Sequence, residues 1–339
     1  MRCCAVCFGD RTLKRNIIPS KTREEGTCSY CGTENVLLIE PLQLRDTLSP
    51  LINIYEPDEH GKLLVEWLKE DWAMFDHPRM DIAGAKSLLA DVLDDGEIVR
   101  ARFSPSSRFQ SDGLDRWELL RDELMYTNRY FPDAKIDTER LGDLLDQLKA
   151  DEVQPIWYRA RLQESDAPYP ADKMGAPPKR IASHGRANPA GIPYLYLGST
   201  ETTAVSEIRP HTGELACIAD FTLAEGLNLI DLRNPRKLIS PFVLGDEDAI
   251  GAMRNDVPFL ERLGEELTRP VLPRGAAIDY VPSQFLCEFI KKCDYDGVIY
   301  RSSVGEGINL ALFNPSKATI GTIKQHRVAQ VQVSITDIA

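Results

Sequence analysis

Along the first half of the chain, apolar residues recur at three- and four-residue spacing. Leu63, Leu64, Trp67 and Leu68 form one stripe, and Leu88, Leu89, Val92 and Leu93 form a second. The stretches Trp117-Glu-Leu-Leu-Arg-Asp-Glu-Leu-Met and Leu141-Gly-Asp-Leu-Leu-Asp-Gln-Leu repeat the pattern. That period gathers apolar side chains on one helical face, so residues 41–150 are expected to form a helical domain. After Asp151 the pattern changes to short runs rich in β-branched and aromatic residues. Ile156-Trp-Tyr-Arg, Tyr194-Leu-Tyr-Leu, Leu227-Asn-Leu-Ile-Asp-Leu, Asp296-Gly-Val-Ile-Tyr and Ile308-Asn-Leu-Ala-Leu-Phe are expected as strands. Pro- and Gly-rich loops separate them, with helices expected over about 201–208 and 283–292. Strands and helices do not alternate in a βαβ rhythm, so the expected class is α+β rather than a doubly wound sheet. The layout predicted is a small unit over 1–40, a helical domain over 41–150 and an α+β domain over 151–339.

Charge sharpens this division. The 339 residues carry 40 Lys plus Arg against 52 Asp plus Glu, a net charge of −12. Residues 51–150 hold 13 basic against 22 acidic residues, so most of the excess lies on the helical segment. An acidic chain without a basic stripe argues against nucleic acid as a partner. No apolar run reaches the roughly 18 residues of a membrane span, and the opening residues lack a secretory apolar core. A soluble cytoplasmic protein with a packed core is expected.

Five of the eight cysteines fall within the first 31 residues. Cys4-x-x-Cys7 and Cys28-x-x-Cys31 are two pairs at structural-zinc spacing, each able to turn two thiolates toward one point. Cys3 is a spare that could replace Cys4. A segment this short has little core of its own, so metal binding is expected to supply folding energy. The helical segment shows no nucleophile, metal cluster or phosphate loop. The chain also lacks a Gly-x-Gly-x-x-Gly after a strand and a Gly-Lys-Ser/Thr loop, which excludes the usual dinucleotide and P-loop folds.

The chemistry concentrates between Arg186 and Pro210. A polar loop with Arg186 and Asn188 leads into a strand carrying Tyr196; Ser199 or Thr200 then caps a helix bearing Glu207. A cation, a phenol and a carboxylate are thereby brought toward one cleft. Later, Tyr300-Arg-Ser-Ser-Val-Gly-Glu-Gly-Ile-Asn places Ser302 and Asn309 around a glycine turn. Taken singly, each residue has a plainer role, as surface arginine, core aromatic or exposed helix carboxylate. His184 and His211 flank the segment as loop residues, and Gln284 and Glu288 share one helical face.

This pattern resembles the RES family, named for its Arg, Glu and Ser. In that family an Arg in a Gly-Arg-x-Asn loop precedes a Tyr by ten residues and a Glu by twenty-one. Arg186, Tyr196 and Glu207 keep both intervals. The Tyr158-Arg159 pair resembles the family's opening Tyr-Arg, and Ser302 (or Ser303), ahead of Asn309, resembles its late serine. The aromatic usual after the loop arginine is Ala187 here. The likeness covers about residues 155–320, while the preceding cysteine pairs and helices more loosely resemble the HEPN/RES N-terminal module. The Arg-x-x-x-x-His motif of HEPN nucleases is not evident.

The resemblance implies an ADP-ribosyltransferase-like fold and a reaction that consumes NAD. Glu207, Arg186, Tyr196 and Ser302 become the implied catalytic residues; Arg159, Arg186, Tyr196, Ser302 and Asn309 become the implied NAD contacts. Cleavage of the nicotinamide–ribose bond follows, as in an NAD glycohydrolase or phosphorylase. A protein ADP-ribosyltransferase and a non-catalytic RES-like binding module are the alternatives. Family members act as toxins restrained by an antitoxin, which implies a regulatory protein partner. Homo-oligomer formation is left open.

Overall fold

The computed structural model describes residues 1–332. They fall into two compact units: Met1–Asp115 with Asn234–Glu261, and Arg116–Arg233 with the chain from Arg262 onward. The helix Glu247–Thr268 contributes to both.

In the first unit, strands β1 (Glu25–Gly26) and β2 (Val36–Leu37) pair antiparallel beside the cysteine segment. The expected stripes become helices Leu64–Trp72 and Ile82–Leu93, burying Leu64, Leu68, Leu88, Leu89 and Val92. The Asp81 side chain caps the second by accepting from the Gly84 N–H at 2.7 Å. The expectation of a helical domain over 41–150 needs correction. Strands β3 (Tyr55–Leu63) and β4 (Arg102–Pro105) form an antiparallel pair inside it, with an irregularity between Pro57 and Lys62. This strand is polar and mostly exposed, so no alternation announces it. Phe8 packs its ring 5.9 Å from that of Phe75, tying the cysteine segment to the same core.

The second unit is built on seven strands: β5 (Ile156–Leu162), β6 (Leu195–Gly198), β7 (Leu215–Leu223), β8 (Leu229–Asp231), β9 (Gly297–Arg301), β10 (Ile308–Leu312) and β11 (Ala318–Arg327). They lie in the order β11-β7-β5-β6-β10-β9-β8. Within this sheet only β8 and β9 run parallel, so it is mixed but dominated by antiparallel pairs. One face carries the main core: Trp157, Leu197, Phe221, Ile299 and Leu310 are all buried there.

On the opposite face Ala160 and Ile218 pack against the helix Glu201–Glu207 through Ala204. Thr200 caps this helix by accepting from the Thr203 N–H at 3.0 Å. Gly198 allows the helix to sit so close. A Cβ there would lie 2.7 Å from the Ala204 nitrogen. Strands β7 and β11 and the helix Glu247–Thr268 are additions to the sequence expectation. Among the described residues, no helix is long and apolar enough to cross a membrane.

Candidate functional site

Cross-strand register sets the site. Tyr300 of β9 lies opposite Asn309 of β10, Asn309 opposite Gly198 of β6, and Gly198 opposite Tyr158 of β5. Residues directly opposite share a face, and neighbours along a strand alternate. Tyr300, Asn309 and Tyr158 therefore stand on the helix side, while Ile299, Leu310, Leu197 and Trp157 enter the main core. Between them and the helix lies a cavity of about 260 Å³, walled by Tyr158, Arg159, Tyr196, Tyr300, Asn309 and Glu207 with small apolar neighbours.

Glu207, at the end of its helix, is exposed but held in place. Its Oε1 accepts from the Ser302 hydroxyl at 2.7 Å and from the Asn309 side-chain amide at 2.6 Å. Ser302 sits on the hairpin turn between β9 and β10. That turn is pinned to the start of the helix, where the Thr203 hydroxyl donates to the Glu306 carbonyl at 3.1 Å. Gly307 has a φ of +103°, and a Cβ there would lie 2.2 Å from the Thr203 hydroxyl oxygen, so glycine is required twice over.

Arg186 is not part of the cavity wall. Its Nη1 donates to the Arg269 carbonyl at 2.8 Å and its Nη2 to the Ser303 hydroxyl at 3.1 Å, with the guanidinium 5.2 Å from the Tyr280 ring centre. The two adjacent serines thus serve different partners, Ser302 the glutamate and Ser303 the arginine. The Arg186 carbonyl accepts from Ser283 at 2.6 Å, and Gln284 donates to the Gly185 carbonyl at 2.8 Å. Gln284 therefore braces the arginine loop; Glu288, His184 and His211 are exposed.

Tyr196 closes this loop from the sheet. Its hydroxyl donates to Asn188 Oδ1 at 2.7 Å and accepts from the Ala187 N–H at 2.9 Å. Burial holds the phenol far above its ordinary pKa. Ala187 is fully buried.

Arg159 lies where β5 and β6 part, since these strands pair only at Tyr158 and Gly198. Its Nη1 donates to the Tyr196 carbonyl at 3.2 Å, and its buried Nε has no partner among the described residues. Burial lowers its pKa from 12.5 to about 10, with Arg161 adding to the effect. Tyr300 was not singled out from sequence. It is 4% exposed, and burial raises its phenol well above 10; Glu207 pushes it further up and Arg186 opposes. Both charges therefore reach the same phenol.

The cysteine pairs meet in the first unit. The Sγ atoms of Cys4, Cys7, Cys28 and Cys31 all lie within 4.8 Å of one another and are buried. Neighbouring separations are 3.3 Å (Cys7–Cys28), 3.6 Å (Cys4–Cys31) and 4.0 Å (Cys4–Cys7). A tetrahedron with metal–sulfur bonds of about 2.3 Å has edges of about 3.8 Å, so the donor set fits one tetrahedral ion. Cys3 is not in the cluster; its backbone pairs with Ile39 instead.

Comparison with known proteins now bears on the sheet unit. The family model described as the RES domain matches residues 156–332, more than half of the chain. The chain belongs to the RES domain family. The match begins at β5 and takes in every strand of the sheet, so Arg159, Arg186, Tyr196, Glu207, Ser302 and Asn309 all lie inside the RES domain. The cysteine cluster and the likeness to the HEPN/RES-type module lie outside it. Among solved structures, the chain is similar to one described as the M. tuberculosis MbcT-MbcA toxin-antitoxin complex. Identity is 15%, covering 56% of this chain and 94% of that one, with a TM-score of 0.33. No curated protein matches the chain.

Proposed function

We propose that this RES-family chain consumes NAD by breaking the bond between nicotinamide and ribose. The observation that carries the reading is Glu207: an ionisable carboxylate fixed by Ser302 and Asn309 at the edge of an aromatic cavity. At about 260 Å³ the cavity is smaller than the roughly 300–1,000 Å³ of pockets that enclose whole drug-sized ligands. It suits one planar base with its sugar at the mouth, leaving the rest of the dinucleotide outside.

In the proposed reaction the C1′–N bond breaks heterolytically. Its electron pair returns to the pyridinium ring, which departs as neutral nicotinamide, and positive charge develops on the ribose. Glu207 stabilises that charge, an interaction stronger in the transition state than in bound NAD. Ser302 and Asn309 keep the carboxylate aimed. Asn309 and Ser302 also contact the ribose side of NAD, while Tyr196 offers its ring to the base and holds the arginine loop. Arg186 and Arg159 supply the cations for the pyrophosphate and the cavity. Water captures the ribosyl cation with loss of a proton in a glycohydrolase, and phosphate in a phosphorylase; a protein acceptor makes an ADP-ribosyltransferase. An ADP-ribosyltransferase-like fold, a toxin role and restraint by an antitoxin belong to the same reading. Cys4, Cys7, Cys28 and Cys31 hold a structural zinc ion in it.

The test is to incubate the purified chain with NAD and identify products by mass spectrometry. Nicotinamide with ADP-ribose, or with its 1″-phosphate, is expected. Intact NAD after prolonged incubation with folded protein rejects the proposal.

A further inference from the structure

Three phenols wall the cavity, and they are not equivalent. The Tyr196 hydroxyl is used up on the arginine loop by Asn188 and Ala187. The Tyr300 hydroxyl has no hydrogen-bond partner among the described residues, although the residue is 4% exposed. Arg159 shares the wall with Tyr300 and leaves its own buried Nε unpartnered. Buried polar groups are nearly always satisfied, and leaving one unmade costs about 1–3 kcal/mol. One buried donor without a partner, Arg159 Nε, and a phenol hydroxyl that makes no hydrogen bond share the wall of one small cavity, which describes a site with a preference: a planar, largely apolar occupant bearing a hydrogen-bond acceptor.

We propose that Tyr300 is a specificity-determining residue whose hydroxyl, on a cavity wall shared with Arg159, binds the carbonyl oxygen of the leaving base's carboxamide. The inference rests on the NAD-cleaving reading and deepens it. Tyr300 stands one strand away from Asn309, which holds Glu207, so the base next to the cleaved bond is the one that enters this wall. Adenine, at the far end of the dinucleotide, does not come next to Glu207. Tyr300, on the cavity wall, donates through its O–H, and a carbonyl oxygen accepts from it.

The test compares wild type with Tyr300→Phe on NAD and on pyridine adenine dinucleotide, whose ring lacks the carboxamide. Base release gives kcat/KM for each. The ratio between the two substrates contains their different leaving-group chemistry, but the change in that ratio between proteins does not. Loss of one hydrogen bond predicts that Tyr300→Phe lowers the preference for NAD by about tenfold. Its melting temperature should stay close to that of wild type, because the hydroxyl makes no hydrogen bond within the fold. A residue with only a packing role would leave the ratio unmoved. Free bases give a second measurement on wild type alone: nicotinamide should inhibit about tenfold better than pyridine. An unchanged substrate ratio in folded Tyr300→Phe, or equal inhibition by the two bases, overturns the inference. Failure of wild type to cleave NAD at all overturns the underlying reading instead, and this inference with it.

Discussion

Arg159 should be a residue that the fold would be more stable without. Its guanidinium lies where β5 and β6 part, with Nε buried, one hydrogen bond to the Tyr196 carbonyl and none at Nε among the described residues. Burial lowers its pKa from 12.5 to about 10. For a base, a lower pKa in the folded state means folding disfavours the charged form. The cost is fully present at pH values below about 10 and fades as pH rises from there toward 12.5. At about 1.4 kcal/mol for each pH unit, it comes to about 3 kcal/mol. Replacement by Met keeps most of the volume and removes the charge, but forfeits the Tyr196 bond, worth about 1 kcal/mol. Arg159→Met should therefore gain about 2 kcal/mol, a rise of roughly 4–8 °C in melting temperature at about 2–4 °C per kcal/mol. The same variant should bind NAD at least about tenfold more weakly, by the charged hydrogen bond it removes. Wild-type affinity should also fall above pH about 10, and the variant should lack that step. Calorimetric melting and NAD titration decide the matter. A lower melting temperature with unchanged affinity would show that Arg159 is an ordinary structural arginine.

Tyr196→Phe should cost about 2–3 kcal/mol, since it strands the buried Asn188 carbonyl oxygen and the Ala187 N–H together. KM for NAD should rise more than kcat falls, because the loop carrying Arg186 loosens while Glu207 stays anchored. Cys28→Ser should abolish stoichiometric zinc, measured by plasma mass spectrometry, and lower the protease resistance of residues 1–115. Wild-type protein purified without chelator and lacking bound metal would contradict the cluster's role.

The site was legible where its geometry is local. Tyr196 and Glu207 lie on one strand and the helix that follows it, so their interval along the chain translates into position on one cavity wall, whereas Arg186 from the preceding loop turns to Arg269 and Ser303 instead. The paired cysteines were readable for the same reason. Tyr300 was not, because a strand aromatic looks like core until register aligns it with Asn309 and Gly198. Strand β11 is an edge strand with mostly exposed side chains, so it lacks the apolar run that marks its neighbours. Strand β7 is buried on both faces over Ala216–Ala219, which erases the alternation a half-exposed strand would show. The helix Glu247–Thr268 contains Pro258, a residue usually read as a helix stop. Its division between two units, like the grouping of residues 234–261 with Met1–Asp115, depends on contacts distant in sequence.

The most direct measurement is NAD turnover by Glu207→Gln beside wild type, with melting curves for both. The substitution keeps the volume and an acceptor for Ser302 and Asn309 while removing the negative charge. If the carboxylate stabilises a cationic ribosyl transition state, turnover should fall by roughly 10²–10³-fold with NAD affinity little changed. Near-wild-type cleavage by a variant that melts like wild type would contradict the account.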